Sequence, residues 1–136
     1  MKRLFADTSY FIAVIAPNDL AHERAQALAN QPSNLVTTAW IMSELAAYLS
    51  APLNRELFNV LLASVRTSST VEFIPASQEI FDLGCELYAA RTDKSWSLVD
   101  CISFVVMQRN GLTDALTTDH HFTQAGFHAI LAGAEK

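Results

Sequence analysis

The feature that most constrains this chain is an alternation. Short apolar runs at residues 3–6, 35–38, 71–74 and 115–117 are separated by longer segments patterned for helices. Buried strands joined by helical crossovers run parallel in one sheet whose faces the helices cover, because a parallel pair needs a long connection to return the chain to the same end. Residues 127–131 supply a fifth run, suited to a sheet edge. The intervening segments carry their own start and stop signals. Asp7, Thr8 and Ser9 precede an apolar helical turn reaching Ile15, and Pro17 and Asn18 stop it. Residues 20–29 set Leu20, Ala21, Ala25 and Leu28 against His22, Glu23, Arg24 and Gln26, the pattern of a surface helix. Further helices are expected up to Tyr48, from Asn54 to about Val65, from a Ser77 cap to Ala90, and from a Ser97 cap to Asn110 and Gly111. Residues 121–126 read as a short turn. The expected fold is α/β: one domain over residues 1–136, with a mainly parallel four- to five-stranded sheet flanked by helices. Ligands of such sheets bind beyond the carboxyl ends of the strands.

Composition narrows the function. With 51% hydrophobic and 17% charged residues the chain is neither disordered nor fibrous. A net charge of −5 argues against a broad basic face for duplex nucleic acid. It leaves a nuclease open, since acids gathered around a bound cation are neutralised there yet still count in the formal sum. Cys85 and Cys101 have neither paired-cysteine nor zinc-ligand spacing, and read as buried, reduced thiols. The start Met1-Lys2-Arg3 superficially suggests a signal peptide, but Asp7 interrupts the apolar stretch, so the segment reads as strand then helix of a cytoplasmic protein. No apolar segment approaches the roughly 18 residues of a membrane span.

Of the fourteen acidic residues, four stand in apolar surroundings. Asp7 is the only charge between Leu4 and Ala16, Glu44 between Leu35 and Leu49, and Asp100 between Leu98 and Met107, while Asp119 follows the fourth strand. An ionised carboxylate there is costly without a compensating cation or donor. Asp7 and Asp119 fall past the ends of two strands, Asp100 in the first turn of a helix, and Glu44 one to two turns into another. Four like charges converging on one crevice would raise each other's pKa unless a divalent cation holds them ionised. An all-oxygen set suits Mg²⁺ or Mn²⁺.

Each acid also has an ordinary reading. Asp7 can be a helix N-cap, Ser97-Leu98-Val99-Asp100 has the form of a capping box, and Asp119 can close its strand in an Asx-turn. Glu44, mid-helix beside Trp40, Ile41, Ala47 and Tyr48, has no cap to make and no cation near it in sequence. Together the ordinary readings need four separate coincidences.

Phe5-Ala6-Asp7-Thr8-Ser9, Ser43-Glu44-Leu45, Ser97-Leu98-Val99-Asp100-Cys101-Ile102-Ser103-Phe104 and Leu116-Thr117-Thr118-Asp119-His120-His121-Phe122, in that order, make the chain resemble a PIN-domain ribonuclease over nearly its whole length. The resemblance is strongest to the toxins of VapBC-type toxin–antitoxin pairs. It implies a Rossmann-like sheet, with Asp7, Glu44, Asp100 and Asp119 as catalytic and Mg²⁺- or Mn²⁺-binding acids and Ser9 as a polar neighbour. It also implies an RNA substrate, a homodimer and a cognate antitoxin. Some members carry a further acid near the fourth, where this chain has Thr117 and Thr118.

The expected chemistry is metal-assisted hydrolysis of RNA phosphodiester bonds leaving 3′-hydroxyl and 5′-phosphate ends, with Asp7 and Asp100 as direct ligands. Arg91 and Lys94 beside Trp96 could hold phosphate and stack a base, or form a solvated loop with Trp96 in the core. His120 and His121 read as turn residues. The apolar turn 10–15 and the face of Leu57, Val60, Leu61 and Val65 fit either core packing or a self-association or antitoxin surface. Two other readings compete: a non-catalytic interaction module of the same fold, and a phosphoacceptor receiver domain, which needs paired acids at the first strand end and a strand-end lysine that this sequence lacks.

Overall fold

A computed structural model describes residues 2–135. Arg3–Ala6 (β1) takes the centre of the sheet, with Leu4, Phe5 and Ala6 all buried. Thr8–Ile15 (α1) and His22–Ala29 (α2) follow, then Asn34–Thr38 (β2), Ala39–Tyr48 (α3), a 3₁₀ turn at Pro52–Asn54, Arg55–Thr67 (α4) and Val71–Ile74 (β3). The second half contains Gln78–Ala90 (α5), Leu98–Arg109 (α6), Asp114–Leu116 (β4), His120–Gln124 (α7), His128–Ala129 (β5) and a 3₁₀ turn at Ala132–Glu135. The five strands are all parallel, in the order β3-β2-β1-β4-β5.

This order puts a reversal beside β1. The chain leaves β1 towards β2 and β3 on one side, then returns to place β4 and β5 on the other. Crossovers on the two sides of such a point diverge, and a crevice opens beyond the strand ends. Register decides what lines it. Ala6 lies opposite Leu116, and the Asp7 N–H donates to the Leu116 carbonyl at 3.2 Å, so Asp7 and Thr117 leave adjacent strands side by side.

The core packs beneath this end. Phe104 of α6 meets Trp96 and Phe122 edge-on, with ring centroids 5.0 and 4.9 Å away. Gly84 of α5 lets α6 approach closely: a Cβ there would lie 2.4 Å from Ile102 Cγ1. Cys101 is buried, Cys85 is half-buried, and both are free thiols. Among the described residues no helix is long and apolar enough to cross a membrane.

Residues 121–126 differ from the expected turn. Helix α7 forms at His120–Gln124 because Asp119 caps it, accepting the His121 N–H at 2.9 Å, and because Phe122 is buried in the core. Gly126, at φ 97°, then turns the chain into β5.

Candidate active site

Asp7 leaves β1 into the crevice and is buried, 6% exposed. It occupies the N-cap position of α1, yet its side chain makes no capping hydrogen bond. The Thr117 hydroxyl instead donates to Asp7 Oδ2 at 2.8 Å and the Ser9 hydroxyl to the same oxygen at 3.2 Å. Both hydroxyls are held in turn: Ser9 Oγ accepts the Thr118 N–H at 3.1 Å, and Thr117 Oγ1 accepts the Asp119 N–H at 3.0 Å. Burial pushes the Asp7 carboxyl up to about 7, against the hydrogen bonds from Thr117 and the Thr8 backbone and with help from the nearby charges of Glu44 and Asp100.

Asp100 stands in the first turn of α6 and performs the capping expected of it. Its Oδ2 accepts the Ser97 N–H at 3.1 Å, while Ser97 Oγ accepts the Asp100 N–H at 3.0 Å. Burial raises the Asp100 pKa, the Ser97 N–H opposes that rise, Asp119 adds to it, and His121 lowers it. Asp119 follows β4 and, besides capping α7, lies near the His121 ring: Nδ1 is 3.3 Å from Asp119 Oδ1 and 3.1 Å from Asp100 Oδ2.

Glu44 differs from the expectation that a costly buried charge marks it. It is exposed on α3, with Thr8 Oγ1 donating to its Oε1. Its helix nonetheless turns it towards the others. Asp7, Glu44, Asp100 and Asp119 line one cleft of about 640 Å³, together with Thr8, Ser9, Tyr48, Ser95, Ser97, Thr118 and both histidines.

One pattern runs through the four acids. Side-chain and capping hydrogen bonds fall on Asp7 Oδ2, Glu44 Oε1, Asp100 Oδ2 and Asp119 Oδ1. Among the described residues no such bond falls on the second oxygen of any of them. Each carboxylate is thus anchored through one oxygen by these bonds, and all four line the cleft. A set of hard oxygen donors anchored in this way, with too few protein cations to neutralise it, fits a small divalent cation.

Three residues that sequence reasoning undervalued belong here. Thr117 and Thr8 are buried hydroxyls anchoring Asp7 and Glu44. His121, read as a turn residue, joins Asp100 to Asp119, while His120 is exposed with Nδ1 3.9 Å from Asp119 Oδ1. Asp119, His120 and His121 also bring potential ligand atoms within 4.8 Å of one another.

Arg91 and Lys94 lie outside the acidic cleft. They line an adjoining groove of about 400 Å³, and Ser95 borders both. Arg91 Nε and Nη2 donate to Asp93 at 3.0 Å each, holding that carboxyl down at about 2, and its guanidinium lies 4.9 Å from the Trp96 ring centre. Lys94 Nζ is 3.9 Å from Asp93. Trp96 is buried, its Nε1–H donating to Gln124 at 3.0 Å, which matches the core alternative for that residue.

Known proteins resemble this chain to different degrees. The sequence model of the PIN domain matches residues 4–128. A protein of Mycobacterium tuberculosis described as the 23S rRNA-specific endonuclease VapC20 is 27% identical over 125 residues, 91% of this chain and 95% of that protein. The crystal structure of VapC20, described as a sarcin–ricin loop cleaving toxin, superposes with a TM-score of 0.83 over 93% of this chain and 98% of that one, at 26% identity. FitAcB from Neisseria gonorrhoeae shares the fold at a TM-score of 0.66 and 20% identity, covering 93% and 94% of the two chains. A toxin–antitoxin complex from Klebsiella pneumoniae shares it at 0.60 and 20% identity, covering 86% and 87%.

Proposed function

Because the chain belongs to the PIN domain family, we propose that it is a metal-dependent endoribonuclease, the toxin of a VapBC-type toxin–antitoxin pair. The observation that carries this reading is the group of four carboxylates, brought from four separate places in the chain to line one cleft, each with its side-chain or capping hydrogen bonds on one oxygen. The similarity to VapC20, itself described as an endonuclease and a toxin, supports it.

Asp7, Asp100 and Asp119 would hold Mg²⁺ or Mn²⁺, with Glu44 as a further ligand or as the group that orients the attacking water. When bound, the cation supplies positive charge that acidifies water and stabilises charge on the phosphate oxygens. The chain's own part is positional. Thr117 and Ser9 fix the Asp7 carboxylate, Ser97 fixes that of Asp100, and Thr8 holds Glu44, which would orient the attacking water or serve as a further ligand. Water adds to phosphorus, the bond to the 3′ oxygen breaks, and the ends are a 3′-hydroxyl and a 5′-phosphate.

Arg91 and Lys94 extend the reading to substrate binding. Their groove adjoins the cleft at Ser95, so an RNA strand leaving the acids meets cations there. The same reading includes a homodimer and a cognate antitoxin in the cytoplasm. For such partners, Leu53, Leu57 and Val60 form an exposed apolar surface around the start of α4, whereas Val65 is taken up by the core.

The test is cleavage of a 23S rRNA hairpin, the RNA class named for VapC20, with Mg²⁺ or Mn²⁺ and with chelator. Cation-dependent cleavage to 5′-phosphate ends is expected, together with a rise in melting temperature on adding cation, and Asp100→Asn should abolish both effects. Cyclic-phosphate ends would overturn the mechanism. Absence of both the cation-induced shift and cleavage would favour the non-catalytic interaction module.

A further inference from the structure

We propose that His121 is a positioning residue that aims the carboxylates of Asp100 and Asp119 at the cation, an inference that rests on the metal-dependent reading above. The Nδ1 atom of His121 lies 3.1 Å from Asp100 Oδ2 and 3.3 Å from Asp119 Oδ1. Both oxygens belong to carboxylates, which accept hydrogen bonds and donate none when ionised, so the nitrogen facing them carries the proton. This N–H bonds Asp100 in α6 and lies close to the Asp119 carboxylate past the end of β4.

The consequence lies in which oxygens are used. Asp100 Oδ2 already accepts the Ser97 N–H at 3.1 Å, and Asp119 Oδ1 already accepts the His121 N–H at 2.9 Å. The imidazole adds a second donor to Asp100 Oδ2 and a close polar contact to Asp119 Oδ1, while among the described residues Asp100 Oδ1 and Asp119 Oδ2 receive no side-chain or capping hydrogen bond and would be open to the cation. It also sets both carboxylates against one ring, a link that the separate caps do not make. The ring is well placed for this task, with only 19% of its side chain exposed, and its backbone is fixed in the first turn of α7 by Asp119 itself. Donors behind metal-binding groups typically change affinity by about 10- to 100-fold when removed.

Mn²⁺ affinity reads this directly, measured from the loss of the free-ion paramagnetic resonance signal on titration into the intact protein, with no RNA present. His121→Ala is expected to weaken binding by about 10-fold or more, with metal-free thermal stability little altered. His121→Asn should recover most of the affinity, because its amide N–H₂ reproduces the Nδ1–H donor. The nitrogen coupling of bound Mn²⁺ should be absent from the wild type.

Unchanged affinity in His121→Ala would overturn the proposal. Equal weakness of the Ala and Asn variants, with nitrogen coupling in the wild type, would overturn it in favour of direct ligation by the imidazole. A wild-type protein that binds no Mn²⁺ would instead remove the metal-dependent reading itself, and this inference with it.

Discussion

On the sheet side of the cleft Asp7 is buried and held by two neutral hydroxyls, whereas on the helix side Asp100 and Asp119 are half-buried and held by backbone N–H groups and an imidazole. Hydroxyl donors orient a carboxylate without contributing net positive charge. Burial is the largest cause of the shift on both sides: it lifts Asp7 to about 7 against the Thr117 hydroxyl and the Thr8 backbone, and it raises Asp100 against the Ser97 N–H and His121. The sheet side therefore carries most of the electrostatic cost that a cation would relieve, and the helix side governs where the oxygens point.

The largest expected effect tests the sheet side through pH. The native Asp7 carboxyl, at about 7 against an ordinary 3.8, keeps a proton that the unfolded chain has already released at intermediate pH. Its contribution to stability is thus fully present below pH 3.8 and is lost as pH rises through 7, by roughly 1.4 kcal/mol for each unit crossed. In chelator, the melting temperature should fall as pH rises from 3.8 to about 7, and Asp7→Asn should flatten most of that slope. A slope that survives the substitution would break the contrast between the two sides.

Next in size is Thr117→Val, which keeps the shape of the side chain but removes the shorter of the two hydroxyl bonds to Asp7. Denaturant unfolding should show a loss of about 1–3 kcal/mol, the cost of leaving a buried polar group without its partner. The descent with pH should also move upward, since Thr117 lowers the Asp7 pKa. Smallest is Ser97→Ala on the helix side. It removes the hydroxyl cap of α6 at a cost of about 1 kcal/mol but leaves the backbone N–H that anchors Asp100, so Mn²⁺ affinity should change less than in Thr117→Val. The reverse order of affinities would show that the helix side bears the greater electrostatic load.

Most of this geometry was legible in the alternation of strands and helices. That pattern alone puts Asp7 and Asp119 past strand ends and Asp100 at a helix start, and the parallel sheet has the expected strands. Other features were hidden for physical reasons. Glu44 was singled out as a buried charge and proves exposed, because α3 packs through Ile41, Met42 and Leu45 while its other face borders the cleft. Thr117 shows no sequence signal, since a strand-end threonine becomes an anchor only once a second strand sets a carboxylate beside it. For Asp100 a capping box and for Asp119 an Asx-turn are not rivals of a site role, since a carboxylate has two oxygens and these bonds occupy only one of them. His121 was missed for the same reason: its partners come from α6 and from beyond β4, and only the folded crossover joins them.

The pairing of β1 with β4 has a consequence for synthesis. Asp7 and the Thr117 hydroxyl that anchors it are 110 positions apart, and β4 occupies the place beside β1 that completes the crevice. A nascent chain that has emerged only as far as α6 carries three of the four acids with neither Asp119 nor His121 to face them. Any chemistry that needs all four carboxylates is therefore withheld until the chain has emerged through His121 and β4 has docked beside β1.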